Sequence, residues 1–189
     1  MYDDQKEAWH LFSMNVEVCR NQHLMNMVGG GVRNPLLHSI LAGVFTINLA
    51  SLLDDALEEY IQANVMPGPH NRLFDRINML GGAGRLKDAA ALHDLRSRRN
   101  DLGHQPNEQG DWKQLDQDIG LVHSELHHLG ILGPQEKYEF FYERSRVKDS
   151  PDHHIAFVVK HRFGVKKAGQ EFMVMEQKNQ HHRKTTGEG

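Results

Sequence analysis

At 189 residues, with 39% apolar residues and a formal charge of −3, the chain can form one globular core with an appendage. Its mean hydropathy of −0.61 argues against a membrane protein, and a lone Cys19 excludes an intramolecular disulfide and a cysteine zinc site. No charged segment followed by an apolar one opens the chain, so a secretory signal is not expected and a reducing, cytoplasmic setting is the default.

Trp9, Phe12, Val16, Leu24 and Met27 recur at helical intervals until Gly29-Gly30-Gly31 breaks the run. Asn34-Pro35 then reads as a cap and first turn, opening a long helix that reaches about Ala63 before Pro67-Gly68-Pro69. Its first half, Leu36 to Leu53, is apolar enough to raise a membrane span. His38, Ser39, Thr46, Asn48 and Ser51 interrupt it, and Asp54-Asp55 follows directly, so a buried core helix is expected and no membrane partner. Leu73, Ile77 and Leu80 mark a short third helix, interrupted around Gly81-Gly82-Ala83-Gly84. A fourth begins near Leu86 and runs to Leu102 or His104. Asp111 with Gln114 resembles a capping pair for a fifth, whose apolar stripe is Trp112, Leu115, Ile119, Val122, Leu126 and Leu129, closed by Gly133-Pro134.

Beyond residue 132 the period changes. Ile155, Phe157, Val159, His161 and Phe163 alternate, Gly164 to Gly169 supplies turn residues, and Glu171 to Met175 forms a second run, which together predict a β-hairpin. The expected organisation is mainly α: a helical bundle over 1–132, a β-hairpin extension over 133–176 and a disordered basic tail over 177–189. Charge is unevenly spread. Residues 1–143 hold 12 Lys and Arg against 20 Asp and Glu, a balance of −8, whereas residues 144–189 hold 10 against 5, a balance of +5. The basic segment is suited to attracting a polyanion.

The chemistry concentrates in Arg98-Arg99-Asn100-Asp101-Leu102-Gly103-His104. Alternating steps of three and four place Arg99 on one helical stripe with Leu92, Leu95 and Leu102, where an unpaired guanidinium would be costly unless the stripe lines a cleft or subunit interface. Asn100 and His104 are four apart and share a face. Histidine exchanges protons near neutrality, and arginine presents a permanent planar charge to phosphate oxygens. Such a pair suits cleavage of RNA by its own 2′-hydroxyl, with His104 moving the proton and Arg99 stabilising the phosphorane-like transition state, and it requires no metal and no cofactor. Taken alone, the same residues also suit an ordinary helix C-terminus, where Gly103 ends the helix and basic groups complement its dipole.

Around this motif the chain resembles the HEPN superfamily, a compact helical bundle whose signature is Arg, a polar residue often Asn, three further residues, then His. Arg99-Asn100-Asp101-Leu102-Gly103-His104 matches it position by position. The long helix containing Leu52-Leu53-Asp54-Asp55-Ala56-Leu57-Glu58-Glu59-Tyr60, the polar loop, Trp112 and the final helix ending Leu126-His127-His128-Leu129-Gly130 fit the same pattern over about 34–132. The resemblance implies a HEPN-like bundle forming a homodimer, with a metal-independent endoribonuclease site built from both subunits. It also implies RNA as substrate and a prokaryotic toxin or defence effector, with an antitoxin or nucleotidyltransferase as partner. On this pattern Arg99 and His104 are catalytic and Asn100 is the polar support residue. One branch carries a tyrosine two residues after the histidine, the target of the nucleotidyltransferase; here that position is Pro106. Some relatives have lost catalysis, so the alternative is a non-catalytic HEPN-like module that binds nucleic acid or a partner protein in regulation.

Other motifs carry less. His123, His127 and His128 could form a metal-binding face, but Val122 and Leu126 define the apolar stripe, so these histidines are expected on its solvated side. His153-His154 and His181-His182 fall in a strand entry and a tail. No His-Glu-x-x-His, phosphate-loop or Cys-x-x-Cys motif occurs, which excludes zinc-hydrolase, P-loop and thiol-redox readings. The glycine runs read as turns, and Cys19 as a small core residue.

Overall fold

The computed structural model describes residues 2–21, 35–68, 70–104, 109–147 and 155–182. In chain order these contain helices α1 (Asp3–Arg20), α2 (Pro35–Ala63), α3 (Leu73–Gly82), α4 (Ala89–His104) and α5 (Trp112–His128), then strands β1 (Glu139–Val147), β2 (Ile155–Lys167) and β3 (Gln170–His182). Two compact units result: Met1–Val16 with Asn34–Gln135, and Glu17–Arg33 with Glu136–Gly189. The expected features at Leu24, Met27, Gly29 to Gly31, Asn34, Pro69, Pro106, His153-His154 and 183–189 lie outside the described residues.

In the first unit α2 is the central element and packs against α3, α4 and α5. Leu49, Leu53, Ala56, Leu57 and Ile61 repeat at three- and four-residue steps and are fully buried, each leucine contributing roughly 1.5–3 kcal/mol by leaving water. By length and composition Leu37–Ala63 could cross a membrane, but half of its most apolar window is buried inside this unit. Against α2 lie Phe12 of α1, edge-on to Phe45 at 5.9 Å, and the buried Leu73, Ile77 and Leu80 of α3. Leu92 and Leu95 of α4 and Leu115, Val122 and Leu126 of α5 complete the core. Arg76 of α3, only 6% exposed, pairs with two carboxylates one turn apart on α2, Asp54 and Glu58, the latter at 2.6 Å.

In the second unit the strands form an antiparallel sheet in the order β1-β2-β3. β1 runs beside β2 from Glu139↔Lys166 to Val147↔Val158, while β3 flanks the other edge of β2. The turn from β2 to β3 is Ala168-Gly169, with φ of 48° and 83°, the two left-handed residues that a tight hairpin with right-twisted strands requires. Gly164 lies inside β2 at a register shift; a Cβ there would come within 2.8 Å of the Phe172 carbonyl oxygen.

These strands overturn the expected fold class. A mainly α chain with a small hairpin would have two strands; β1 adds a third, so the protein combines helices with a three-stranded sheet in a mixed α and β fold. The expected turn at Gly164 to Gly169 contracts to its last two residues. Gln177 to His182, expected to be disordered, are the second half of β3, where backbone pairing to β2 satisfies their peptide groups whatever their side chains.

Candidate active site

α4 is held along one flank by α5. At its start, Glu125 of α5, 1% exposed, accepts hydrogen bonds from the backbone N–H groups of Lys87 and Asp88 at 2.9 and 2.8 Å. Asp88 in turn accepts from Ala91 N–H at 2.9 Å, so two carboxylates satisfy donors that the first turn of a helix leaves open. Further along, Arg98 grips Asp118 of α5 with both ends of its guanidinium, Nη2 at 2.5 Å and Nε at 3.3 Å. Asp118 is 2% exposed and also accepts from Gln114 Nε2 at 3.0 Å.

The segment entering α5 is fixed against α2. Asp111 caps α5 as expected, accepting from the N–H groups of Lys113 and Gln114, although the Gln114 side chain serves Asp118 rather than closing the capping pair. Trp112 donates to the His38 carbonyl at 3.0 Å and lies against the His38 ring at 4.9 Å. Beside it Gly110 meets the α2 backbone so closely that a Cβ would fall 2.0 Å from Gly43 N.

On its other flank α4 borders a groove of about 640 Å³, whose lining includes Arg99 and Asn100 of α4, Ser51 and Asp54 of α2, and the entry to α3. Arg99 is exposed, and its Nη1 donates to Asn100 Oδ1 at 3.2 Å. This corrects the expected stripe. The buried face of α4 passes from Leu95 to Arg98 by a step of three, not to Arg99 by a step of four. The guanidinium that needs a partner in the packed seam is therefore that of Arg98, and it has one. His104 is exposed at the last residue of α4 and is not part of the groove lining. The fold thus brings Arg99 and Asn100 together at the groove, while His104, one turn beyond Asn100 on the same helix, is not among the groove's lining residues.

Three further features of the groove escape sequence reasoning. Phe74, the second residue of α3, is 47% exposed. The Arg96 guanidinium lies 5.2 Å from its ring centre and the His93 ring 5.1 Å. Arg72 adds a third cation to the lining beside Arg96 and Arg99. The only sequence signal was a phenylalanine outside the Leu73, Ile77, Leu80 stripe, and an arginine one turn before Arg99 on the same helix face.

His93 Nε2 donates to Asn78 Oδ1 at 3.2 Å. Burial, followed by the charge of Arg96, lowers its pKa below the ordinary histidine value, with Asp94 opposing. The histidines of α5 also depart from expectation. His123 is 6% exposed, against the Trp9 ring at 5.6 Å and the His127 ring at 6.0 Å, because α1 covers a side of α5 expected to face water. His127 and His128 are exposed. Among the described residues no three His, Cys, Asp or Glu side chains cluster as metal ligands would. His181 stacks on Phe157 at 4.5 Å within the sheet, and Cys19 is half-buried, its thiol pKa raised by burial.

No protein-family model, curated protein or solved structure matches this chain.

Proposed function

We propose that this protein is a metal-independent RNA endonuclease of the HEPN type, acting as a homodimer in the cytoplasm of a prokaryote as a toxin or defence effector. The observation that carries this reading is the difference between neighbouring arginines. Arg98 is committed to Asp118, whereas Arg99 is exposed at a groove beside Asn100, leaving its charge available to a phosphate. In this reading Arg99 stabilises the developing charge, Asn100 orients it, and His104 exchanges the proton of the 2′-hydroxyl or leaving oxygen.

A second copy is integral to the reading. Five residues of α-helix turn through roughly 140°, so Arg99 and His104 of one protomer diverge, and a composite site draws them from two. Leu37, Ile40 and Val44 form an exposed apolar row on α2. The row continues along that helix face to Ser51 at the groove, a distribution that supports a covered interface next to the arginine.

The test is incubation of purified protein with RNA in EDTA, wild type beside His104→Ala, with light scattering on both. Cleavage leaving 2′,3′-cyclic phosphate ends, lost by about a hundredfold or more in a variant that still dimerises and melts normally, is the expected result. A magnesium requirement or 5′-phosphate products would overturn the mechanism, and a monomer at micromolar concentration would overturn the composite site. One observation favours a second reading, a non-catalytic nucleic-acid-binding module: the groove gathers cations and an aromatic ring but not His104. A wild-type protein that binds RNA and never cleaves it would establish that alternative.

A further inference from the structure

We propose that the groove contains a nucleobase subsite in which Phe74 is the stacking platform and Arg96 and Arg99 hold the attached phosphate. The proposal rests on RNA being the ligand and deepens that reading by assigning residues outside the motif.

Four observations converge on it. Phe74 is nearly half exposed although it adjoins the buried Leu73, so its ring covers the groove wall and not the core. Arg96 lies over that ring at 5.2 Å, the combination of aromatic face and guanidinium on which a base can stack while its phosphate is neutralised. Arg96 Nε is buried with no hydrogen-bond partner among the described residues, an unmet donor beside a polar groove. The charge balance points the same way. Arg72, Arg96 and Arg99 line the groove with Asp54 and Asp75, and Asp54 shares Arg76 with Glu58, so the three guanidiniums outnumber the two carboxylates of the lining and leave positive charge for an anion. The amides of Asn71 and Asn100 supply donors and acceptors for a base edge. At about 640 Å³ the groove has the size of a small-molecule site. A base can enter it only when unpaired.

The test measures binding without turnover. Wild type, Phe74→Leu and Phe74→Tyr are titrated by calorimetry with adenosine and uridine 5′-monophosphates, ribose 5-phosphate and inorganic phosphate. Wild type is expected to bind the nucleotides more tightly than ribose 5-phosphate. Phe74→Leu should weaken nucleotide binding by about five- to a hundredfold, leave inorganic phosphate and the melting temperature unchanged, and be rescued by Phe74→Tyr. Equal affinity for nucleotide and ribose 5-phosphate, or a Phe74→Leu protein with unaltered base preference, would overturn the subsite. Its failure is distinct from failure of the nuclease reading: base-dependent binding without RNA cleavage retains the subsite and removes the enzyme, whereas cleavage unaffected by Phe74→Leu retains the enzyme and removes the subsite.

Discussion

The two flanks of α4 are built from similar residues and do different work. Toward α5 the helix presents Leu92, Leu95 and an arginine whose partner, Asp118, is buried. Toward the groove it presents Arg96, Arg99 and Asn100, with Arg96 over an exposed aromatic ring and Arg99 bonded to Asn100. Arg98 and Arg99 are adjacent in sequence, and 100° of helical rotation separates a structural cation from an available one. An arginine's role therefore follows from what the neighbouring helix offers it more than from its place in a motif.

The sharpest way to break this comparison is to truncate the two arginines in parallel. Arg98→Ala leaves the Asp118 carboxylate buried with only Gln114 beside it, and should lower unfolding free energy by about 3 kcal/mol, the lower end for a broken buried pair because Arg98 itself is partly hydrated. Arg99→Lys should change stability by less than about 0.5 kcal/mol, as exposed substitutions do. It should reduce RNA turnover by about ten- to a thousandfold, because the planar fork is lost while the charge remains. Urea denaturation of both variants and single-turnover cleavage by the second supply the measurements. Equal destabilisation by the two would erase the distinction between the flanks.

A smaller effect is expected at the start of the helix. Glu125→Ala removes the acceptor of two backbone N–H groups, and with water able to reach the Lys87 side should cost about 2 kcal/mol. Hydrogen exchange should rise at Lys87 and Asp88 before the rest of α4. Exchange rising uniformly over α4 would instead mean that Glu125 supports the whole helix.

The smallest effect is confined to the open flank. The pKa of His93 is lowered in the folded protein, so its contribution to stability is intact above the unfolded value of about 6.5 and is lost as pH falls from there through the folded value. The melting-temperature difference between wild type and His93→Gln should therefore shrink between pH 7.5 and pH 5. A difference that stays constant would show that burial of His93 carries no proton linkage.

The helical elements were legible because each buries one stripe, and the three- and four-residue spacing of Leu49, Leu53 and Leu57, or of Leu115, Val122 and Leu126, survives in sequence as period. The sheet was legible only at its centre. β2 alternates because Ile155, Val159, His161 and Val165 are buried, whereas β1 and β3 are edge strands, mostly exposed, and carry no such pattern. Glu-Phe-Phe-Tyr-Glu-Arg-Ser-Arg-Val reads as a strand only once β2 is there to pair it. At the site, the motif located Arg99, Asn100 and His104 but assigned the wrong arginine to the packed seam. The missed clue was on α5: Asp118 and Glu125 occupy the same stripe as Leu115 and Val122, so two carboxylates stood where apolar residues belong and implied partners on another helix. Phe74 and Arg96 were unreadable for a different reason, since their encounter depends on how α3 and α4 meet and on no local spacing.

Asp118 and Glu125 are two turns apart on α5 and engage opposite ends of α4. Leucine seams alone tolerate sliding, because one methyl group replaces another with little change in contact. Here a slip of one residue, a rise of 1.5 Å, would strand both carboxylates at once. The pair acts as a vernier that sets the axial position of α4, and with it the height at which Arg99 meets the groove, so that sequence changes on a helix bearing none of the site residues can detune the site.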